Sequence, residues 1–377
     1  MSVVHDAAFI PTNGASQVVP TRMWKKLLAL CSGLLLGLVI AELAVRRWVV
    51  VRNVGPSFTV FDPTYDKRLK TNFSCERITP EFRMRLTTNS LGFRGPEPGP
   101  SDARPILFIG DSFTMGYGVN DGEEYPAVVR QALAERFGDE RVPVINAGIG
   151  DVGNGRWVRF LRGQAVALDP GLVVLQICGN DFEDNVREGL FRLTGDNSLV
   201  EQRIVARPFA RYVQECVEAI PWLSYSHLIC LVKQLRLPMT VQDDPAPQPV
   251  DSSTSAGLDS PTDRLTHRLV SEIIDVCRRR SWPLLVLLVD VENSRREALD
   301  DLLKAASVPF VRFPTKNERP ELYFRVDGHW NEAGHALAAS LVLDYILRRT
   351  NGEPASLPSP GVGFPCDREQ GVSVPPE

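Results

Sequence analysis

A serine stands at the end of the first strongly apolar run in the body of the sequence. Residues 105–110 read PILFIG, and Asp111 and Ser112 follow directly. This order places the serine hydroxyl at a strand-to-helix turn, where the start of the helix favours a developing negative charge. Ser112 is therefore the candidate nucleophile for acyl transfer. A turn of this composition, taken alone, is better explained by Asp111 or Ser112 capping the helix.

A histidine late in the chain is the candidate general base. Residues 327–331 read DGHWN, directly before a helical pattern. Asp327 stands two positions before His329, so it could hold the imidazole in one tautomer while the other ring nitrogen takes the serine proton. Histidine titrates near about pH 6.5, which suits a group that accepts and returns a proton. Alone, this motif would also fit a solvated histidine at a helix start, and His335 is expected to be a surface or packing residue.

Two further strand ends carry groups that could stabilise an oxyanion. Gly148 follows one apolar run, and Asn180 follows the next. Ligands of parallel sheets gather beyond the carboxyl ends of the strands, so these groups should meet near Ser112. The N–H groups of Ser112 and Gly148 and the side-chain amide of Asn180 together predict an oxyanion hole. Each signal by itself is also typical of an ordinary turn.

The elements that must position these residues alternate between strand and helix. Five short apolar runs lie at residues 105–110, 142–150, 172–181, 283–290 and 308–313. Helical patterns lie at residues 123–137, 156–168 and 331–349. The runs are apolar almost throughout, as expected for parallel strands covered by helices on both faces. The sequence therefore predicts a domain of parallel βαβ units.

Taken together and in order, these motifs resemble those of the SGNH, or GDSL-type, hydrolases. The segments GDSFTMGYG, NAGIG, CGND and DGHWN are similar to the family's successive blocks and extend over residues 105–349. The resemblance implies a flavodoxin-like three-layer α/β/α sandwich with a mainly parallel five-stranded sheet. It also implies a serine esterase that needs no metal and no organic cofactor, with Ser112, His329 and Asp327 as the catalytic groups.

Two departures from the family pattern point to a subgroup. Cys178 occupies a position where the family usually has glycine, and only Gly328 separates Asp327 from His329. The short spacing, together with the segment TTNSLGFRG before the first strand, resembles membrane-anchored bacterial members, including relatives of polysaccharide O-acetylation enzymes. By that resemblance the catalytic body would lie on the periplasmic or extracellular side.

Residues 24–50 predict a single transmembrane anchor. Residues 27–41 read LLALCSGLLLGLVIA without a charge, and Trp24 and Trp48 stand at the two ends of the apolar stretch. A helix places these two rings about 36 Å apart, which suits the headgroup layers of a bilayer. A cleaved signal peptide would end in small residues, whereas this run continues into AELAVRR. Basic residues flank both ends equally, so charge does not determine the orientation.

The remaining chain divides by composition. The predicted units are an N-terminal tail (1–23), a membrane-proximal segment with a hairpin (51–104), the hydrolase domain (105–350), an insertion within it (182–280), a disordered part of that insertion (241–262) and a disordered tail (351–377). The hairpin is expected within residues 82–95, FRMRLTTNSLGFRG. The net charge of −4 supplies no field that would attract nucleic acid. The oligomeric state is left open.

The expected function is that of a single-pass, membrane-anchored serine esterase. Its substrate would be an acyl ester, with acetyl as the expected acyl group, on a carbohydrate or a similar small molecule. Two alternatives stay open at this point. A polysaccharide O-acetyltransferase would use the same triad with a sugar hydroxyl in place of water, and a noncatalytic glycan-binding or assembly protein would keep only the fold.

Overall fold

The computed structural model describes residues 21–99, 103–138, 142–204, 216, 220–235 and 260–350. In chain order the strands are β1 (Thr59–Asp62), β2 (Asp66–Leu69), β3 (Ser74–Ile78), β4 (Arg83–Thr87), β5 (Ile106–Ile109), β6 (Val144–Asn146), β7 (Leu172–Cys178), β8 (Phe191–Leu193), β9 (Leu199–Glu201), β10 (Leu284–Val289) and β11 (Phe310–Arg312). The α-helices are α1 (Thr21–Trp48), α2 (Ser112–Met115), α3 (Tyr125–Phe137), α4 (Asn154–Arg162), α5 (Ala165–Leu168), α6 (Asp181–Glu188), α7 (His227–Leu235), α8 (Pro261–Arg279), α9 (Asn293–Ala305) and α10 (Glu332–Thr350). Two 3₁₀ helices cover Pro221–Tyr225 and Pro320–Leu322.

The central sheet has five parallel strands in the order β6-β5-β7-β10-β11. Counted along the chain this is the order 2-1-3-4-5, which is the flavodoxin-like arrangement. All five strands arise from the apolar runs expected to form them, and the predicted flavodoxin-like fold is confirmed. The order also places the ends of β5 and β7 side by side, which is where a ligand site of such a sheet is expected.

Helices cover both faces of the sheet because successive strand residues point to opposite sides. In β5, Leu107 and Ile109 belong to a buried cluster that includes residues of α4 and α8. Ile106 and Phe108 belong to a second cluster that includes residues of α3 and α10. The two clusters are the interfaces between the sheet and the helical layers of a three-layer α/β/α sandwich, and the strands between them are buried on both faces.

The N-terminal helix α1 differs from every helix of the sandwich in its surroundings. Its stretch Met23–Trp48 contains an 18-residue window with a mean hydropathy of 2.3, and only 6% of that window is buried. By length and composition this helix can cross a membrane, and a signal sequence passes the same test. Leu34, Leu35 and Leu36 in its middle are all exposed.

The predicted hairpin within residues 82–95 is present as a single antiparallel bridge across its turn, and the longer strand pairs of the membrane-proximal segment involve β1 to β4. Strand β4 pairs antiparallel with the preceding strand β3, and β1 pairs with β2 in a second hairpin. After the turn around residues 89–92 the chain makes only single bridges, from Thr88 to Arg94 and from Arg94 to Asn146. Met84 and Leu86 are fully buried against the domain, so β4 lies between its partner strand and the core. The returning arm therefore meets the edge strand β6.

The insertion between β7 and β10 contains more regular structure than its composition suggests. It begins within α6, includes the hairpin β8-β9, and ends in α8, which packs on α4. Ser260 caps α8 by accepting a hydrogen bond of 3.0 Å from the Asp263 N–H. The last three residues of the predicted disordered part, 241–262, therefore begin this helix. The rest of that part, residues 1–20 of the predicted N-terminal tail and the tail 351–377 lie outside the described residues.

Candidate active site

Ser112 is the first residue of α2, and its neighbour Asp111 caps that helix. One Asp111 carboxylate oxygen accepts a hydrogen bond of 2.9 Å from the Phe113 N–H. Gly110 adopts a φ of +156°, and a Cβ atom there would lie 2.3 Å from the Thr114 hydroxyl oxygen. The sharp turn thus requires glycine. Because Asp111 supplies the cap, the Ser112 hydroxyl is left to point out of the turn.

The structure brings Ser112, His329 and Asp327 together although 217 positions separate Ser112 from His329. The Ser112 Oγ lies 2.7 Å from His329 Nε2, and His329 Nδ1 is hydrogen-bonded to an Asp327 carboxylate oxygen. This is the geometry of a nucleophile, a base and a group that orients the base. The side chains of His329 and Asp327 are 24% and 25% exposed, so the triad opens to solvent.

A glycine allows the short spacing between Asp327 and His329. Gly328 has a φ of +90°, which turns the chain so that both flanking side chains point to the same side. The turn is closed by the Phe324 N–H, which donates to the His329 carbonyl at 2.8 Å. Space around Gly328 is open, so its conformation rather than packing accounts for the residue type. The motif is one residue shorter than the usual family motif, but the His329 imidazole still lies beside Ser112 Oγ.

The predicted oxyanion donors are arranged differently from the expectation. The Gly148 N–H donates to the Asn146 side chain at 3.1 Å, and a Cβ atom at Gly148 would lie 2.3 Å from the Met115 nitrogen. Gly148 is thus used for close packing on α2, and its N–H is engaged within its own loop. Gly150 is the glycine beside the nucleophile, since its Cβ position lies 3.3 Å from Ser112 Cβ. Within the described chain the Gly150 N–H has no hydrogen-bond partner.

Asn180 lies where the motif placed it, at the carboxyl end of β7. One N–H of its amide donates to an Asp184 carboxylate oxygen at 2.8 Å. An amide nitrogen carries two donors, so the second N–H stays available. The N–H groups of Ser112 and Gly150 and the Asn180 amide are therefore the donors that the structure offers for an oxyanion.

Charged side chains from two elements hold the loop that carries Gly150. The next residue, Asp151, has a φ of +54°, and its carbonyl accepts from Lys67 Nζ at 2.7 Å and from an Arg187 guanidinium nitrogen at 3.1 Å. The Gly153 N–H donates to Glu188 at 2.9 Å. Burial lowers the pKa of Lys67 and raises the pKa of Glu188 to about 7. Lys67 belongs to β2, so the membrane-proximal segment supports this loop.

Two buried carboxyl groups lie beneath the nucleophile. Burial raises the pKa of Asp111 to about 6 and the pKa of Asp181 well above its usual value, and each raised pKa reflects the loss of water around the charge. Asp181 accepts hydrogen bonds from the Asn154 side chain at 3.0 Å and from the Cys178 N–H at 3.2 Å. Both acids favour the neutral form more than free carboxyl groups do.

Aromatic rings pack on one side of the histidine. The ring of Phe113 lies 5.2 Å from the His329 ring, and the ring of Tyr117 lies 4.9 Å away. His335, by contrast, is fully buried, and its Nδ1 accepts from the Tyr125 N–H at 3.3 Å. Burial lowers the pKa of His335 to about 3, so it stays neutral as a packing residue. Within the described ranges no group of three His, Cys, Asp or Glu residues could hold a metal ion.

Glu81 is a contact to the site that the sequence motifs do not reveal. It lies between β3 and β4, and its carboxylate accepts from the Val326 N–H at 2.8 Å and from the Asp327 N–H. The backbone that carries the triad aspartate is thereby held from the membrane-proximal segment. Because Glu81 touches neither His329 nor Ser112, it is a positioning residue. Only the tertiary fold joins two positions that are 246 residues apart.

Replacing Glu81 with alanine is expected to lower kcat for a small acyl ester by about tenfold to a hundredfold and to leave KM nearly unchanged. Loss of both acceptors frees the backbone at Asp327 and lets the imidazole leave its aligned position. Glu81→Gln keeps one acceptor oxygen and should recover most of the rate. Steady-state kinetics of both variants decide the matter, and equal losses for alanine and glutamine would contradict the positioning role.

The sequence of this chain matches the model of a known protein family. The sequence model of the GDSL-like lipase/acylhydrolase family matches residues 108–337, which include every residue of the triad. A search of curated proteins found no match.

Solved structures with a similar fold share little sequence with this chain. One is the psychrotrophic esterase EstA from Pseudoalteromonas sp., with 12% identity, coverage of 66% of this chain and 99% of that chain, and a TM-score of 0.40. TesA shares 12% identity, and the match covers 63% of this chain and 94% of that chain with a TM-score of 0.38. A two-domain esterase (CEX) active on acetylated mannans shares 18% identity, and the match covers 69% of this chain and 53% of that chain with a TM-score of 0.37.

Proposed function

The chain belongs to the GDSL-like lipase/acylhydrolase family, and from that premise we propose that it is a membrane-anchored serine esterase that works through an acyl-enzyme. It is a hydrolase of ester bonds by family. The single observation that carries the mechanism is the distance of 2.7 Å between Ser112 Oγ and His329 Nε2. A serine oxygen at that distance from an imidazole held by a carboxylate can be deprotonated as it attacks.

The reaction follows from the positions of these groups. Ser112 Oγ attacks the ester carbonyl carbon while His329 Nε2 takes the hydroxyl proton and Asp327 stabilises the imidazolium. The carbonyl oxygen becomes an oxyanion that accepts hydrogen bonds from the N–H groups of Ser112 and Gly150 and from the Asn180 amide. Collapse breaks the ester bond, and the leaving alcohol takes the proton from His329. Water then attacks the acyl-enzyme and gives a proton to His329. Collapse of this second tetrahedral intermediate breaks the bond between the acyl carbon and Ser112 Oγ, His329 returns the proton to Ser112, and the acid is released.

Helix α1 is proposed to anchor this catalytic body in a membrane. Its stretch Met23–Trp48 has the length and hydropathy of a single span, and it is almost entirely exposed. A helix with that surface is stable when lipid covers it. The membrane-anchored bacterial members that the sequence resembles carry their catalytic bodies outside the cytoplasm. We place this body on the periplasmic or extracellular side.

The proposed substrate is an acetyl ester of a carbohydrate or of a similar alcohol. The triad side chains are partly exposed rather than enclosed, so a bulky ester carrier can bring its acyl group to Ser112. The same chemistry with a sugar hydroxyl in place of water would make the protein an O-acetyltransferase. A noncatalytic glycan-binding protein would retain the fold without the reaction. These two alternatives are separated from the esterase by experiment.

A partition assay tests the proposal. The purified full-length chain is incubated with p-nitrophenyl acetate, with and without an added oligosaccharide, and both free acetate and acetylated oligosaccharide are measured. We expect acetate release to account for most of the turnover in both samples. Transfer of most acetyl groups to the oligosaccharide would identify a transferase. Failure of a fluorophosphonate to label Ser112, together with no turnover, would instead favour the noncatalytic protein.

A further inference from the structure

Residues 220–235, which we call the collar, form a second apolar surface beside α1. The collar consists of the 3₁₀ helix Pro221–Tyr225 and helix α7, and it packs against the C-terminal part of α1. We propose that the collar lies on the phospholipid bilayer as a second membrane contact, with its outer face in the headgroup and acyl boundary. The inference rests on the membrane anchoring in the proposed function, because α1 sets the depth of the collar.

The only acidic residue of α1 forms the junction between the two elements. One Glu42 carboxylate oxygen accepts from the Ser226 hydroxyl at 2.7 Å and from the Leu228 N–H at 2.9 Å, and the other accepts from the His227 N–H at 3.0 Å. Glu42 therefore satisfies the free N–H groups at the start of α7. A carboxylate that faces lipid alone is costly, and these donors offset that cost. The charge in the apolar helix is thus a docking point for the collar.

The position of Glu42 along α1 determines how deep the collar lies. Trp24 and Trp48 are about 36 Å apart along the helix, and a hydrocarbon core is about 30 Å thick. Glu42 lies six residues before Trp48, or roughly 9 Å along the axis. With the two tryptophans centred on the bilayer, Glu42 lies about 6 Å inside the edge of the core. Amphipathic helices in the membrane interface reach about 5–10 Å, so the start of α7 lies at their usual depth.

The outer face of the collar is apolar. Trp222 is 70% exposed and Leu235 is 72% exposed, and Ile220 and Val232 are also exposed. These side chains do not face the buried cluster that joins the collar to α1, which contains Val45 and Cys230. A tryptophan with an exposed ring is typical of the membrane interface, where its apolar body and polar N–H both find suitable surroundings.

Exposed basic side chains on the same elements indicate the type of lipid. Arg47, Arg52 and Lys233 are all exposed, and they come from the end of α1, the following linker and α7. A cluster of cations at the boundary of a bilayer attracts anionic headgroups. The surface therefore fits a membrane that contains anionic phospholipid.

The collar also contacts the segment that joins α1 to the catalytic body. Gln234 accepts from the Arg52 N–H at 3.0 Å, and the Ser224 carbonyl accepts from the Gly55 N–H at 3.1 Å. Asn53, in the same stretch, accepts a hydrogen bond from the Tyr117 hydroxyl, and Tyr117 packs on His329. A collar seated on the bilayer thus holds the catalytic histidine at a short and constant distance from the membrane surface.

Photo-crosslinking of the full chain tests the collar. The protein is reconstituted into nanodiscs of phosphatidylethanolamine and phosphatidylglycerol, with p-benzoylphenylalanine replacing one residue at a time. The positions are Trp222 and Leu235 in the collar, Leu35 in α1, and Phe137 as an exposed control at the end of α3. After irradiation, mass spectrometry measures phospholipid adducts. We expect adducts at Trp222, Leu235 and Leu35 at about tenfold or more the level at Phe137.

The pattern of adducts separates the two claims. Labelling at Leu35 with only the Phe137 level at both collar positions would overturn the collar proposal and leave the anchor in place. The absence of lipid adducts at Leu35 as well would overturn the anchoring in the proposed function. Crosslinks from Trp222 and Leu235 to a second copy of this chain instead of lipid would show that the collar is an interface between copies and would reject the bilayer as its occupant.

Discussion

Replacing Ser112 with alanine is expected to lower kcat for a small acyl ester by about five orders of magnitude. The substitution removes the oxygen that lies 2.7 Å from His329 Nε2, and no acyl-enzyme can form without it. The fold should be unaffected, because Asp111 rather than Ser112 caps α2. Residual turnover would come from the oxyanion donors acting on water.

Two measurements check this result. The initial rate with p-nitrophenyl acetate gives the loss in kcat, and a fluorophosphonate probe reports whether the serine reacts. The parent chain should be labelled at Ser112, and the Ser112→Ala chain should not be labelled at all. Circular dichroism and thermal unfolding serve as the control for folding. A variant that keeps more than about one hundredth of the rate would contradict nucleophilic catalysis by Ser112.

The His329→Ala variant should lose activity almost as completely, by about four orders of magnitude or more. Without the imidazole, nothing accepts the Ser112 proton during attack or returns it to the leaving alcohol. Residues that act as a unit are strongly non-additive. The double variant Ser112→Ala/His329→Ala should therefore be no slower than either single variant, and full additivity in the kinetics would contradict a shared step.

His335 supplies the matched control for the base. Its ring stacks parallel to Tyr125 with centroids 6.4 Å apart, and it is fully buried away from the nucleophile. His335→Ala should leave kcat per folded molecule within about twofold and should lower the free energy of unfolding by about 2 kcal/mol or more, because it opens a cavity. Activity normalised to folded protein, with urea unfolding, measures both effects. A large loss of kcat in His335→Ala with kcat retained in His329→Ala would reverse the assignment of the base.

The sheet could be predicted because each of its strands coincides with a continuous apolar run in the sequence. A strand such as β7 is buried along its whole length, so each of its residues must be apolar or internally satisfied. The membrane-proximal hairpin was harder, because the turn residues around Asn89 and Gly92 mark where the chain bends and carry no information on which strand β4 joins. Pairing with β3 is decided by burial of Met84 and Leu86 against the domain.

The candidate site also contains residues that the sequence motifs predict and residues whose roles only the structure shows. Ser112, Asp327 and His329 stand in short motifs whose residue types suit only a few kinds of chemistry, and the structure brings them together. In the candidate oxyanion loop, Gly148 and Gly150 look equivalent in the sequence. Their roles differ by packing, since Gly148 presses on α2 and Gly150 lies beside Ser112.

The sequence by itself determined the five strands of the parallel sheet, the residue types of the candidate triad and the apolar length of α1, because each of these is a local pattern of residue types. The tertiary structure alone decided which distant groups support them. Glu81 holds the backbone at Asp327, Lys67 holds the loop beside Ser112, and Glu42 binds the start of α7. The residue type of a single carboxylate or ammonium group does not indicate which distant residue will be its hydrogen-bond partner. Its role is defined only when folding brings a donor or acceptor within hydrogen-bonding distance.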